Sequence, residues 1–334
     1  MTNESRLVTN PVSALLTKLK IDGYILALVG MVVLASILPV RGEAATILGW
    51  VVKIAIALLF FLHGAKLSRE AVVTGLLHWR LHLTILAFTF VLFPILGLAI
   101  SKSGLLSPTL STGMLFLCCL PSTVQSSIAF TSIGRGNIAA AVCAASASNL
   151  LGIFLTPVLV GLLMQAHGNV GGWDSIRAIV VQLLLPFVAG QLVRPWIRPW
   201  IEKHKALVGR VDRGSILLVV YSAFSAAVVG GIWKTVSVPE LGLLLVACVV
   251  LLAAVMAATM FGSRALGFSK PDEVAIVFCG SKKSLATGVP MAGILFPGAT
   301  AGVLVLPLML FHQIQLMACS VMAQRYGARP ADEA

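Results

Sequence analysis

The stretch Phe278-Cys279-Gly280-Ser281-Lys282-Lys283-Ser284-Leu285-Ala286-Thr287-Gly288-Val289-Pro290 sits inside an apolar segment that begins after Asp272-Glu273 and runs past Phe296. At about 1.5 Å of rise per residue, Lys282 lies roughly 15 Å along a helix started at Asp272, near the middle of a bilayer core about 30 Å thick. Two adjacent lysines at that depth cost about 2.5 kcal/mol or more each on insertion scales, and intramembrane charges of this kind mark functional sites. Gly280, Ser281 and Ser284 weaken the helix there and free backbone groups for other partners. The plain alternative is a polar loop between two spans, but strongly apolar runs flank the lysines on both sides. The segment therefore reads as a membrane span broken near its centre.

Composition supports that reading. The chain has 334 residues, of which 58% are hydrophobic and 11% charged, with a mean hydropathy of +1.00. These values describe a polytopic, all-α membrane protein and exclude a soluble globular domain. A net charge of +12 would point to nucleic acid in a soluble chain. Here it sorts by membrane side, so the expected surroundings are lipid and no nucleic-acid partner is expected. The six cysteines, at 118, 119, 143, 248, 279 and 319, all fall in apolar segments and form no CxxC pair. They read as packing residues rather than a disulfide or zinc framework. The first twenty residues lack the apolar core of a cleavable signal, and Pro11 to Lys20 suits a short amphipathic helix on the membrane surface.

Hydropathy gives ten spans, near 23–40, 47–65, 81–101, 109–133, 138–165, 176–194, 214–233, 240–263, 272–299 and 300–323. The fourth is interrupted at Pro121-Ser122-Thr123 and the ninth at the lysines. All six tryptophans (50, 79, 173, 196, 200 and 233) fall at or near span ends, as an interfacial belt requires. With the amino terminus and the even-numbered connections on one side, that side holds seventeen Lys and Arg. The other holds only Arg41, Lys102, Arg177 and Lys234. Both termini are therefore expected in the cytoplasm, with the protein multi-pass in a plasma membrane. The broken spans recur at matching places in the two halves, and an odd number of spans per half forces the halves to be inverted. Inverted repeats with paired broken helices are the pattern of secondary transporters with a midplane site. The expected organisation is a cytoplasmic segment over 1–21, a first five-helix repeat over 22–165, a second over 176–323 and a cytoplasmic tail over 324–334.

Span four opens at Ser107-Pro108, a cap followed by proline, and Ser122 is placed to cap its second half. Ser284 is placed to cap the second half of span nine. Each restarted half-helix would aim its positive end at the midplane, and at least one lysine adds to that potential, which suits an anion. Ser122, Thr123, Gln125, Ser126 and Ser127 from span four, Asn149 from span five, and Ser281, Lys282, Lys283 and Ser284 from span nine are the candidate substrate or ion ligands. Ser146 and Ser148 read as packing between helices. His312, Gln313 and Gln315 either line the pathway or bond between helices. His63 falls at the cytoplasmic end of span two, and Arg135 at a turn that anchors span four. All twelve acidic residues lie at span ends or in connections. No carboxylate is left at the midplane to neutralise sodium or carry a proton. Which lysine faces the site stays open, since neighbouring helical residues point about 100° apart.

In order along the chain, Leu62-His63-Gly64-Ala65-Lys66-Leu67-Ser68, Pro121 with Arg135-Gly136-Asn137, Phe154-Leu155-Thr156-Pro157 and Phe278 to Pro290 resemble the bile acid:sodium symporter superfamily, specifically its SBF-like branch. The resemblance covers essentially the whole chain. It implies ten transmembrane helices as two inverted five-helix repeats, with two crossing broken helices in a core domain and a panel domain that moves against it. It also implies sodium ligands that this chain lacks. The span-five Ser and Thr positions fall near Ala141 and Ala145, the span-three Gln falls on Thr89, and Ser281, Lys282 and Lys283 stand where an acid and an amide would lie. The expected function is alternating-access transport of a small organic anion, with a lysine replacing the coupling cation or binding the substrate's charge. Sodium coupling through neutral ligands, or a non-transporting membrane regulator, are the alternatives. No metal motif, nucleophile–base pair or carboxylate dyad points to an enzyme, and no cofactor is expected.

Overall fold

The computed structural model describes residues 23–66, 78–164, 180–231, 236–296 and 299–329. The segment 1–21 with its expected surface helix, motif residues Leu67 and Ser68, the connection around 168–172, Trp173, Trp233, Lys234 and the tail beyond 329 lie outside those residues.

The described residues fold into helices without strands. They are α1 (Gly23–Ile37), α2 (Gly42–Lys66), α3 (Trp79–Lys102), α4 (Pro108–Cys119), α5 (Gln125–Ile133) and α6 (Ile138–Met164), then α7 (Val180–Lys203), α8 (Lys205–Val229), α9 (Val238–Ala265), α10 (Lys270–Gly280), α11 (Leu285–Leu295) and α12 (Ala299–Gly327). Seven of them, α2, α3, α6, α7, α8, α9 and α12, are long and apolar enough to cross a membrane. Their outer faces carry exposed Ile54, Leu83, Leu192, Val246 and Val250. A continuous apolar exterior of this kind needs lipid. Trp50, Trp79, Trp196 and Trp200 are all at least half exposed, as side chains of an interfacial belt should be. The interrupted stretch is the reverse case. Every residue from Glu273 to Leu285 is buried, so protein surrounds α10 and its break on all sides, and non-helical backbone is tolerated there.

Both interruptions expected from the sequence are present, between α4 and α5 and between α10 and α11. Capping explains where the later helices restart. Ser269 Oγ accepts from the Asp272 amide at the start of α10, and Ser284 Oγ accepts from the Thr287 amide at the start of α11. At α9, Ser237 and Glu240 form a reciprocal capping box. Ser122 does not cap α5. Val124 occupies that position with no side-chain bond, and the Ser122 hydroxyl points to another helix. The long basic connection expected between spans six and seven is also helical. α7 continues to Lys203 through Pro195 and Pro199, and α8 begins at Lys205, leaving only His204 between them. Hydropathy ends a span where the apolar run stops, whereas these helices continue as basic extensions.

The helices can be described as two groups that meet along α8, which also packs on α11 and α12. α2 lies along α7, and α8 packs on α1 and α2. α10 is enclosed by α3, α5, α6 and α9, while α12 packs on α4, α5, α9 and α11. One end of the second group is tied by ions. The buried Glu273 carboxylate accepts from Arg264 of α9, Lys270 of α10 and Tyr326 of α12 at 2.8–3.0 Å. Beside it, the turn at Arg135 (φ +52°) is held by Asn137 on Asp272 at 2.8 Å and by Arg329 on the Gly134 carbonyl at 2.9 Å. The expected tail therefore begins as helix and docks onto the α5–α6 turn.

In the first group, α2 and α7 touch backbone to backbone. A Cβ at Gly64 would overlap the Phe187 carbonyl, and a Cβ at Gly190 would overlap the Phe61 carbonyl. Small residues that allow such contact replace the hydrophobic effect as the glue between membrane helices. Gly64→Ala or Gly190→Ala is expected to cost about 1–3 kcal/mol through overpacking. Gly49→Ala on the same helix, where no atom lies within 4 Å, should be neutral. Thermal unfolding in detergent measures the contrast, and equal melting of all three variants would contradict this interface.

Candidate functional site

The site grows out of the two breaks, because each leaves backbone groups that the other answers. Pro121 has no N–H, and the Ser122 amide donates to Ser148 Oγ at 3.1 Å rather than back into α4. The carbonyls at the end of α4 must therefore find donors elsewhere. Cys119 receives one from Thr156 Oγ1 at 2.8 Å, Pro121 from the Ser284 amide at 2.9 Å and Ser122 from Asn149 Nδ2 at 2.6 Å. Cys118 and Leu120 receive theirs from Lys283 Nζ, at 2.9 and 2.6 Å. The exchange is mutual. Ser122 Oγ donates to the Cys279 carbonyl at 2.6 Å and Ser127 Oγ to the Phe278 carbonyl at 2.9 Å, so hydroxyls of the first break close the end of α10. Gln315 pins the second break, accepting from the Lys283 amide at 2.9 Å and donating to the Lys283 carbonyl at 3.0 Å.

The adjacent lysines are both fully buried but differ in surroundings. Lys283 Nζ also donates to the Thr89 carbonyl at 2.8 Å and stands 4.1 Å from the centre of the Phe93 ring. Lys282 Nζ has no hydrogen-bond partner among the described residues and lies 4.5 Å above Phe130. Neither lysine is among the residues that line the open cavity beside the breaks.

That cavity, of about 730 Å³, lies between the two helix groups. That volume falls within the range of small-molecule pockets, about 300–1,000 Å³. One wall brings Thr123, Gln125, Ser126, Ser146, Asn149, Ser284, Thr287 and His312 from α5, α6, α11, α12 and the two breaks. Across from it stand Tyr24, His63, Lys66, Arg210, Asp212 and Arg213 from α1, α2 and α8, with Leu59, Phe60, Phe187 and Ile216 between. Lys66 is paired with Asp212, and Arg213 lies over the Tyr24 ring at 5.4 Å. Two arginines remain to set a positive potential. The α5 N-terminus, whose first turn has no side-chain cap, opens on the same space. Thr287 Oγ1 donates to Asn149 Oδ1 at 2.9 Å and fixes that amide between its neighbours.

Of the residues singled out from the sequence, Thr123, Gln125, Ser126, Asn149 and Ser284 line this cavity. Ser122, Ser127, Ser281, Lys282 and Lys283 are buried in the clasp between the breaks. Thr287 and the α8 arginines were not singled out. In the sequence the arginines read only as topology signals, and their i, i+3 spacing on an α8 extended to Lys205 is the feature that marks them. Ala141 and Ala145, at the positions of the resemblance's sodium ligands, pack with Leu81, Ile85, Ala275 and Cys279. Among the described residues no group of His, Cys, Asp and Glu is arranged to hold a metal.

Comparison with known proteins agrees with the resemblance read from the sequence. Residues 22–328 match the SBF-like CPA transporter family. An uncharacterised protein of Pseudomonas aeruginosa is 58% identical, the alignment covering 94% of this chain and 95% of that one. The protein YfeH of Escherichia coli, whose name carries the word symporter, is 56% identical over 92% and 93% of the two chains. Sodium/bile acid cotransporter 7 of Rattus norvegicus is 31% identical over 80% and 81%.

Proposed function

The chain belongs to the SBF-like CPA transporter family, a family of membrane transporters rather than enzymes, and from that premise we propose that it is a secondary transporter of a small organic anion, working by alternating access. The observation that carries this reading is the 730 Å³ cavity with arginines on one wall and neutral hydroxyl and amide groups from both breaks on the other. An anion there gains charge–charge attraction from Arg210 and Arg213 and hydrogen bonds from the half-helix wall.

Ten crossings complete the proposed architecture. α1, α2, α3, broken α4–α5 and α6 form one repeat, and α7, α8, α9, broken α10–α11 and α12 form the inverted second. The panel is α1, α2, α7 and α8, and the other helices form the core. The basic ends of α2 and α8 support a reading in which the mouth of the cavity and both termini face the cytoplasm across a bacterial inner membrane. Rocking of panel against core would then carry the site to the other face.

The usual sodium ligands are replaced by Ala141, Ala145 and the lysine pair, so coupling to sodium is not part of the reading. Thermal melting of the purified protein with amphipathic carboxylates and sulfonates, in sodium and in potassium chloride, tests both points. A bound ligand stabilises by RT ln(1 + [L]/Kd), so occupancy of about 100 Kd adds about 2.7 kcal/mol. The expected result is saturable stabilisation by at least one organic anion, equal in the two salts. A dose-dependent shift with sodium alone would establish the sodium-coupled alternative, and stabilisation by neutral compounds only would remove the anion reading.

A further inference from the structure

We propose that the Lys283 ammonium is the tethered occupant of a monovalent-cation site built from backbone carbonyls of α3 and α4, a built-in replacement for a dissociable ion. This rests on the reading above only in that transport proceeds without sodium. The site itself stands on the geometry of three orphaned carbonyls.

Each carbonyl is orphaned for a reason visible in the chain. In α3 the turn Phe88–Leu92 is widened, so the Phe93 amide donates to the Phe88 carbonyl. The next amide in that register would serve Thr89, but residue 94 is proline and has none. In α4, Cys118 loses its donors because residue 121 is proline and the Ser122 amide is committed to Ser148. Leu120 ends the helix in an extended conformation, ψ 155°. The three oxygens converge on a single point, at 2.8, 2.9 and 2.6 Å from Nζ. Phe93 closes a further side with its ring face, an arrangement that favours a cation. Carbonyl oxygens turned inward around one ion are how membrane proteins replace a hydration shell.

The lysine is aimed at this point by its own backbone, which Gln315 clamps at both the amide and the carbonyl. The side chain therefore cannot dissociate from the site during a transport cycle as a free ion could. The ammonium ties α3, α4 and the α10–α11 break into one body, as a bound coupling ion would, but without dependence on its concentration. Lys282, one residue earlier and equally buried, has no such carbonyl set, so the arrangement is specific to position 283.

Lys283→Ala removes both charge and stem and leaves a carbonyl-lined space. The probes are methylammonium, ethylammonium, potassium and sodium chlorides, with tetramethylammonium chloride as a cation lacking N–H donors. Thermal melting of the full-length protein in detergent, without any substrate, reads the site independently of transport. The expected result is a melting temperature lowered by about 10 °C and raised again, saturably, by a small ammonium or alkali cation. Tetramethylammonium should have no effect, and neither the parent nor Lys282→Ala should respond to any of the salts. Lys283→Met, whose stem fills the space, should be as unstable as Lys283→Ala and refractory to every cation. Three outcomes would overturn the proposal: Lys283→Met as stable as the parent, Lys283→Ala melting identically in all salts, or Lys283→Ala failing to fold in each of them.

Discussion

Lys283→Met is expected to melt about 10 °C below the parent, whereas Lys282→Met should leave the melting temperature unchanged or raise it. The substitution is the same, one residue apart, at two fully buried positions. At 283 it withdraws the donor shared by the Thr89, Cys118 and Leu120 carbonyls. Leaving a buried polar group unpaired costs about 1–3 kcal/mol each. Three together cost about 3–9 kcal/mol, a large share of the stability of an ordinary domain, about 5–15 kcal/mol, and one that leaves a folded protein to melt. At 282 the same change removes an amine that has no acceptor and rests on Phe130 and Phe278. Methionine keeps that apolar contact and removes the polar group's burial cost, so the balance tips the other way. Size-exclusion profiles and melting curves of the two variants decide the matter. Equal losses, or a greater loss at 282, would mean that the two ammonium environments are wrongly distinguished.

That distinction was not available from the sequence. The spacing of Gly, Ser and Lys inside an apolar run announces a break, because helix-weakening residues and buried charge are local properties. Pro121 announces the other break in the same way, since a missing N–H needs no knowledge of the fold. What each freed group then bonds to is a long-range question. Ser122 looked like a helix cap because caps lie close in sequence, yet its hydroxyl found the Cys279 carbonyl, 157 residues away. The widened turn in α3 was also hidden. Its signal is a proline five residues after Thr89, which in a membrane helix is common and says little alone. Lys66, Arg210 and Arg213 were legible as topology markers but not as cavity walls, because hydropathy began span seven at 214 while α8 starts at Lys205 and carries both arginines. Local rules gave the helices and their interruptions. Pairings across the bilayer required the fold.

Neutralising Arg210 and Arg213 together is expected to weaken anion binding on the order of a hundredfold while leaving the protein folded. Lys66 is paired with Asp212, so the net positive charge on the α8 side of the cavity comes from the two arginines. A unit charge about 8 Å from a bound anion contributes about 2 kcal/mol at an effective dielectric of about 20, or about thirtyfold in affinity. Screening by salt reduces the product of two such factors, and the loss should shrink further as ionic strength rises. Arg210→Gln with Arg213→Gln keeps polar contacts and removes both charges, so the change in Kd for the stabilising anion reports the charges themselves. The sign can be reversed from the same wall. Asp212→Asn frees Lys66 and raises the net charge by one, and it should tighten the same anion several-fold. A structural role for these side chains predicts weaker binding in every variant. A field acting on a bound anion predicts opposite directions, so unchanged affinity in the double variant, or weaker binding in Asp212→Asn, would place the anion outside this cavity.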